Sequence, residues 1–268
     1  MQFRQKALSR LQSPEELDLP VRFARPPGRL VLAVTLVAMA AAAVWGVTGT
    51  VTNKIESPGV LTHAGGSYVL QSPLAGQVTG VFAEEGDRVE AGAPLLRVRT
   101  QTGPRAVRAV EAGEVTTLLT KSGSVLTPGA DVATVERAED PDEPLVAMVY
   151  VQGSGGSSVK PGAEVDLTVP SVPQQQYGVL RGRVEAVGRA PQTAQQISGF
   201  LGNADLARQF AAKGNPLPVL VKLEPSSTTK SGYEWSSEEG PPHTLDSTTP
   251  VSAAVHLDSQ HPVDWLLP

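Results

Sequence analysis

Residues 75–98 recur as residues 112–135, and this repeat limits what the chain can fold into more than any other feature. Laid over each other without a gap, at an offset of 37, the two 24-residue stretches are identical at eight positions. Ala75, Gly76, Val78, Thr79, Gly86, Gly92, Ala93 and Val98 match Ala112, Gly113, Val115, Thr116, Gly123, Gly129, Ala130 and Val135. Glycine recurs where the backbone takes positive φ or passes close to another strand, so Gly76, Gly86, Gly92, Gly113, Gly123 and Gly129 are expected to be structural turns of the repeat. The Val and Leu between them mark short strands. Each copy reads as strand, turn, strand, turn, strand, too small to bury its own apolar face. Packed face to face, the two make a flattened sandwich.

Ser72-Pro73-Leu74-Ala75-Gly76-Gln77-Val78, followed by Glu85-Gly86-Asp87-Arg88-Val89-Glu90-Ala91-Gly92, resembles the first half of a lipoyl or biotinyl carrier domain. The resemblance implies two halves related by a pseudo-twofold axis. A carrier presents a lysine, usually within Met-Lys-Met, on the hairpin joining the halves. Here the joint is Arg99 to Arg108, with Thr100-Gln101-Thr102-Gly103-Pro104 at its tip, and Lys121 falls inside the second copy. Without an amine at the tip there is no site for lipoate or biotin. The resemblance implies the carrier fold without the carrier chemistry, and no cofactor.

Composition narrows the rest. With 26 Gly and 23 Pro in 268 residues, turns are frequent and long helices scarce, which favours an all-β body. The chain has zero cysteines, which excludes disulfides, a thiolate metal site and a cysteine nucleophile. A net charge of -5 and 4% aromatics advertise no nucleic-acid surface.

Residues 1–29 carry Arg4, Lys6, Arg10, Arg22, Arg25 and Arg29 and read as a basic cytoplasmic tail. From Leu30 to Asn53 no charge occurs. Some 20 apolar residues at about 1.5 Å each cross a hydrocarbon core of roughly 30 Å, so residues 30–52 are expected to be a single transmembrane helix. Six basic residues precede it and only Lys54 follows closely, which puts the N-terminus in the cytoplasm and the remainder outside the cell membrane. A cleavable signal peptide is the alternative; the long leading segment and long apolar run favour an uncleaved anchor.

Residues 53–137 then read as the lipoyl-like domain, with Gly59 to Thr62 as a short leading strand. The acidic, proline-bounded residues 138–144 read as a linker, and residues 145–268 as a small β-barrel with one short helix. In the barrel, Pro161 and Gly162 form the turn into a strand over Glu164 to Val169, where Val165, Leu167 and Val169 alternate with polar residues. Further strands are read at Leu145 to Val151, Val179 to Val187, Leu217 to Leu223, Val251 to Leu257 and Val263 to Leu266. The helix is read over Asn203 to Lys213, capped by Asn203 and stopped by Gly214. Residues 224–249 form a long loop in which Tyr233 and Trp235 either contact a partner or tuck back onto the barrel.

Tail, membrane helix, lipoyl-like domain and barrel, in that order, resemble the haemolysin-D-type membrane fusion (periplasmic adaptor) family. Tyr177-Gly178-Val179-Leu180-Arg181-Gly182-Arg183-Val184, Leu201-Gly202-Asn203, Ser231-Gly232-Tyr233-Glu234-Trp235 and His261-Pro262-Val263-Asp264-Trp265-Leu266-Leu267-Pro268 are similar to the accessory subunit of bacteriocin exporters that serve peptides with nitrile-hydratase-like leaders. That resemblance implies a non-catalytic adaptor, a homo-oligomer on a peptidase-containing ABC transporter, with an exported peptide as cargo. Most relatives insert a long helical hairpin between the lipoyl halves; here the joint is about ten residues with no heptad pattern.

No catalytic or metal constellation stands against this. His63, His243, His256 and His261 form no His-x-His or His-Glu-x-x-His pair. Gly153-Ser154-Gly155-Gly156-Ser157-Ser158 is followed by no Gly-Lys-Ser/Thr and reads as a flexible turn. Glu84, Glu85 and Asp87 read as a solvated acidic hairpin. The alternatives from other classes are a membrane-anchored module that binds the cell envelope and, less favoured for want of metal ligands, a cell-wall hydrolase.

Overall fold

The computed structural model describes residues 28–49, 53–138 and 143–258. Most of the basic tail, residues 139–142 of the linker, and residues 259–268 with the strand read at Val263 to Leu266 lie outside the described residues.

Helix α1 spans Gly28–Thr48, and its 21 residues are apolar on all sides with none buried. At about 1.5 Å per residue it is roughly 30 Å long. Its hydroxyls are turned inward: Thr35 Oγ1 donates to Val31 O at 2.9 Å and Thr48 Oγ1 to Val44 O at 2.7 Å. This back-bonding hides polar hydrogens from an apolar surrounding. The helix is long and apolar enough to cross a membrane.

Strand β1 (Lys54–Thr62) is followed by the repeat, which forms β2 (Ser67–Gln71), β3 (Gly76–Val81), β4 (Arg88–Val89), β5 (Pro94–Thr100), β6 (Gly103–Arg108), β7 (Gly113–Leu118), β8 (Val125–Leu126) and β9 (Asp131–Glu136). These make two four-stranded sheets, ordered β6-β5-β3-β8 and β2-β9-β7-β4. The short strands are exchanged: β4 of the first copy pairs in the second copy's sheet and β8 of the second in the first copy's. The backbone repeats at the sequence offset. Gly86 N donates to Val115 O and Gly123 N to Val78 O, both at 2.8 Å. Register slips between Val78 and Gly80 on β3 and between Val115 and Thr117 on β7. Between the sheets lie Val78, Leu95, Leu96, Val98, Val107, Val115, Val132, Ala133 and Val135, all buried. This is a lipoyl-like sandwich.

Two of its glycines are fixed by contact. A Cβ on Gly76 would stand 2.2 Å from Arg99 O, and one on Gly113 would stand 2.0 Å from Glu136 O. Gly86 and Gly123 are different: they sit at φ 89° and 93° with open space where a Cβ would be. Gly113→Ala therefore forces backbone apart and is expected to destabilise by about 2 kcal/mol or more. Gly123→Ala meets only backbone strain and is expected to cost about 1 kcal/mol. Urea melts of the two variants check the order.

The second body is a closed six-stranded barrel, ordered β1-β10-β13-β12-β11-β14, with β10 at Val146–Val151, β11 at Glu164–Thr168, β12 at Leu180–Val187, β13 at Leu217–Leu223 and β14 at Pro250–His256. β1 pairs with β10 and β14 and closes it. The short leading strand assigned to the lipoyl-like domain is thus a nine-residue barrel strand. Pro58 and Gly59 break its alternation in the sequence. In the sheet, Gly59 is required because its Cβ would lie 2.9 Å from Met148 O.

The barrel is covered by helices on one face. A single turn, α2, spans Gln174–Tyr177; α3 spans Ala194–Leu201 and α4 spans Ala204–Phe210. Asn203 caps α4, accepting from Asp205 N at 3.0 Å and Leu206 N at 3.1 Å, but that helix stops at Phe210 and not at Lys213. α3 was not expected. Its signal is a capping box: Thr193 accepts from Gln196 N while the Gln196 side chain takes Thr193 N. Ile197, Leu201, Ala207 and Phe210 bury themselves on the outward-facing Val60 and Tyr150, and the Tyr150 and Phe210 rings stack at 4.9 Å.

Asp166 ties four strands together near the start of β1. It takes Lys54 Nζ at 2.9 Å, His256 Nε2 at 2.7 Å and the Arg181 guanidinium. Partial burial opposes its charge, but these partners hold its carboxyl below the usual carboxylate range. A depressed folded value means the stabilisation is complete above the ordinary carboxylate pKa and is lost as pH falls through the depressed one. Asp166→Asn is expected to lower stability at neutral pH by about 1–3 kcal/mol. The gap to wild type should close on acidification, as read by chemical denaturation across a pH series.

Candidate functional site

The junction between sandwich and barrel holds a knot of polar groups around Glu136, the last residue of β9 and only 2% exposed. Its Oε1 accepts from Thr62 Oγ1 at 3.0 Å and from His63 N at 2.9 Å, and its Oε2 accepts from Ser247 Oγ. The His63 Nδ1 lies 3.0 Å from Oε1 but off the line of a directed hydrogen bond, so the two are joined by charge. The Glu136 carboxylate holds the His63 imidazole above its ordinary value, with weaker help from Glu143 and Glu114. Burial alone would push the Glu136 carboxyl up; the donors from His63 and Ser247 more than offset this and leave it low.

Beside the knot is a cavity of about 480 Å³, lined by His63 and Arg88, by Glu114, Glu143 and Asp246, and by Tyr233 among others. No group of three His, Cys, Asp or Glu stands together to hold a metal among the described residues. The hydrogen bonds of Glu136 to Thr62, His63 and Ser247 tie β9 of the sandwich to β1 and to the loop before β14.

The six repeat glycines lie around the sandwich. Gly92 N donates to Ala109 O at 2.9 Å and Gly129 N to Ser72 O at 2.8 Å, again one pair repeated at the offset. Pro161 and Gly162 stand before β11, Gly162 with φ 87° and its N–H on Val184 O. The joint of the repeat is the β5–β6 hairpin, with exposed Gln101 and Thr102 at its tip and Thr100 Oγ1 closing it onto Gly103 O at 2.7 Å. The Gly153–Ser158 run, read as a flexible turn, is a 3-10 helix.

Both aromatic residues of the long loop pack onto the barrel, and Tyr233 stays partly exposed at the cavity. Trp235 is 4% exposed inside the barrel cluster, and its Nε1 donates to Ser231 Oγ at 2.9 Å. Tyr233 packs on the same cluster and its hydroxyl accepts from Leu145 N at 2.8 Å. The apolar residues left outside are on the sandwich instead. Phe82 and Leu119, equivalent in the repeat, are 49% and 56% exposed, with the Arg97 guanidinium 5.0 Å over the Phe82 ring.

Sequence reasoning missed the Glu136 knot altogether. Glu136, Thr62 and Ser247 are far apart in the chain and no motif joins them. In the sequence His63 belongs to no histidine pair.

No protein-family model matches the sequence, and no curated protein matches it. The structure is similar to MacA from Actinobacillus actinomycetemcomitans, at 10% identity over 80% of this chain and 81% of that one, with a TM-score of 0.52. It is similar to a MacA–MexA chimeric protein containing the Pseudomonas aeruginosa MexA α-hairpin domain, at 10% identity over 80% and 84%, with a TM-score of 0.50. The membrane fusion protein Spr0693 from Streptococcus pneumoniae R6 aligns at 11% identity over 76% and 99%, with a TM-score of 0.41. At these identities the likeness concerns the fold. The chimera carries an α-hairpin domain; between β5 and β6 this chain has only Gln101 and Thr102.

Trp235→Ala would empty a site inside the barrel and leave Ser231 without its donor. It is expected to cost about 3–5 kcal/mol, measured by denaturation of the full chain.

Proposed function

We propose that this protein is a non-catalytic, membrane-anchored adaptor of an export system. The observation that carries the reading is the joining, in one chain, of a membrane-length helix, a lipoyl-like sandwich with no lysine at its hairpin tip, and a closed barrel. A carrier needs the amine, and an enzyme needs a reactive group in its cavity. A sandwich and barrel held at a fixed junction beside a membrane serve to position other proteins. The fold likeness to MacA supports this reading.

In this proposal α1 is an uncleaved anchor with the basic residues before it in the cytoplasm and the β body outside. The working partner is an ABC transporter of the peptide-exporting kind, which supplies the energy, and the cargo is an exported peptide. Copies of the chain assemble into a collar on that transporter, with the exposed Phe82 and Leu119 as apolar contacts. The joint at Gln101 and Thr102 reaches no farther than a β-turn, so in this proposal either the cell has one membrane or another component completes the conduit.

Affinity purification of the full chain from native membranes is expected to bring down an ATP-binding-cassette transporter, identified by mass spectrometry. Repeated recovery of isolated peptidoglycan, with no transporter, would favour the envelope-binding reading instead.

A further inference from the structure

The chain passes from barrel to sandwich over residues 63–66 and leaves the sandwich after Glu136. Arg137 N donates to Gly66 O at 2.8 Å, so the two passages meet the sandwich side by side. Every group that Glu136 accepts from comes from outside the sandwich: Thr62 at the end of barrel strand β1, His63 after it, and Ser247 in the loop before β14. Among the described residues, a second tie across the junction is apolar. α3 packs on Val60 of the barrel with Ile197, while its Phe200 ring covers Gly66 and its capping Gly202 sits against Thr134 of β9.

These two ties respond differently to protons. The α3 contact has no ionisable group. The Glu136 contact consists of a buried carboxylate, and a buried ion pair is a poor way to gain stability, since apolar side chains of equal volume do as well or better. What an ion pair adds is dependence on its charge state. If Glu136 is protonated it can no longer accept from all its donors, and a cationic His63 is left unpaired at the junction. Among the described residues, the other charged groups that line the cavity with His63 are Glu114 on β7, Glu143 before β10, Asp246 in the loop and Arg88 on β4. His63 keeps its charge while Glu136 protonates, because its raised imidazole stays protonated throughout the carboxylate range.

We propose that Glu136 and His63 form an acid-released latch that fixes the sandwich on the barrel, with the α3 contact left as the pivot when it opens. The sign follows from each partner. The low carboxyl of Glu136 makes the latch hold above the ordinary carboxylate range and fail as pH falls through the depressed value. The raised imidazole of His63 makes its charge contribution complete below the ordinary histidine pKa and lost as pH rises through the raised one. The latch is therefore tightest between those limits, and acid opens it fully because the neutral imidazole leaves the other three donors in place.

The absence of cysteine makes the test direct. Thr102→Cys on the hairpin tip and Lys213→Cys beside the barrel, both exposed, take a spin label each in the full chain reconstituted in lipid nanodiscs. The distance distribution measured by pulsed electron paramagnetic resonance is expected to be narrow at neutral pH and to broaden as pH is lowered into the carboxylate range. Glu136→Gln should be broad already at neutral pH and change no further in acid. Glu111→Gln, which removes a surface partner of Arg137 on the same side, should behave as wild type. A wild-type distribution that stays narrow through acidification overturns the proposal, as does a Glu136→Gln distribution that stays narrow at neutral pH. If Glu136→Gln fails to fold, the wild-type series alone decides. None of these readings depends on a transporter, so failure of the latch leaves the adaptor reading standing and the reverse.

Discussion

The exchange of β4 and β8 between the two repeat copies is the constraint on which the β body rests. A two-residue strand cannot cover a sheet of its own, and each copy contains one such strand and two longer ones. By placing the short strand in the other copy's sheet, each half completes its partner, and neither apolar face is buried until both are present. The close approaches at Gly76 and Gly113 belong to the same arrangement, since each glycine lets the backbone pass against a carbonyl near the end of the neighbouring long strand, Arg99 in one half and Glu136 in the other. One member of that symmetric pair is then put to a different use. Arg99 is on the hairpin that joins the halves; Glu136 is at the crossing into the barrel.

The chain enters the barrel first, leaves it to build the sandwich, and returns. β1 is laid down before the repeat yet pairs with β10 and β14, which come after it. The barrel cannot close without β1, the strand that precedes the repeat in the chain, so sandwich and barrel are tied by two covalent crossings and not one. Two crossings restrict the junction far more than a single linker would, and the Glu136 contacts and the α3 contact then set how it is held.

Part of this was open to sequence reasoning for reasons tied to particular residues. Residues 75–98 and 112–135 share glycines in register, and glycine placement reports backbone geometry directly. Val165, Leu167 and Val169 alternate, which reports a half-buried strand. Asn203 announces the start of α4 because a cap acts over two or three residues. The capping box at Thr193 and Gln196 is equally local, but Gly199 and Gly202 in the same stretch weaken a helical reading. Trp235 was left between two fates because an aromatic residue in a polar loop carries no sign of which surface will receive it.

The sequence by itself determined the repeat, its turns, the membrane-length helix and the missing carrier lysine, because each depends on neighbours within a few residues or on a count. Only the tertiary structure decided that β1 belongs to the barrel, that Trp235 is buried, and that Glu136, Thr62, His63 and Ser247 meet. The physical reason is separation along the chain. Glu136 is 74 residues from Thr62 and 111 from Ser247, and no pattern of period two or three and a half links residues so far apart. A buried carboxylate looks like any surface glutamate until the fold supplies the donors that make its burial tolerable.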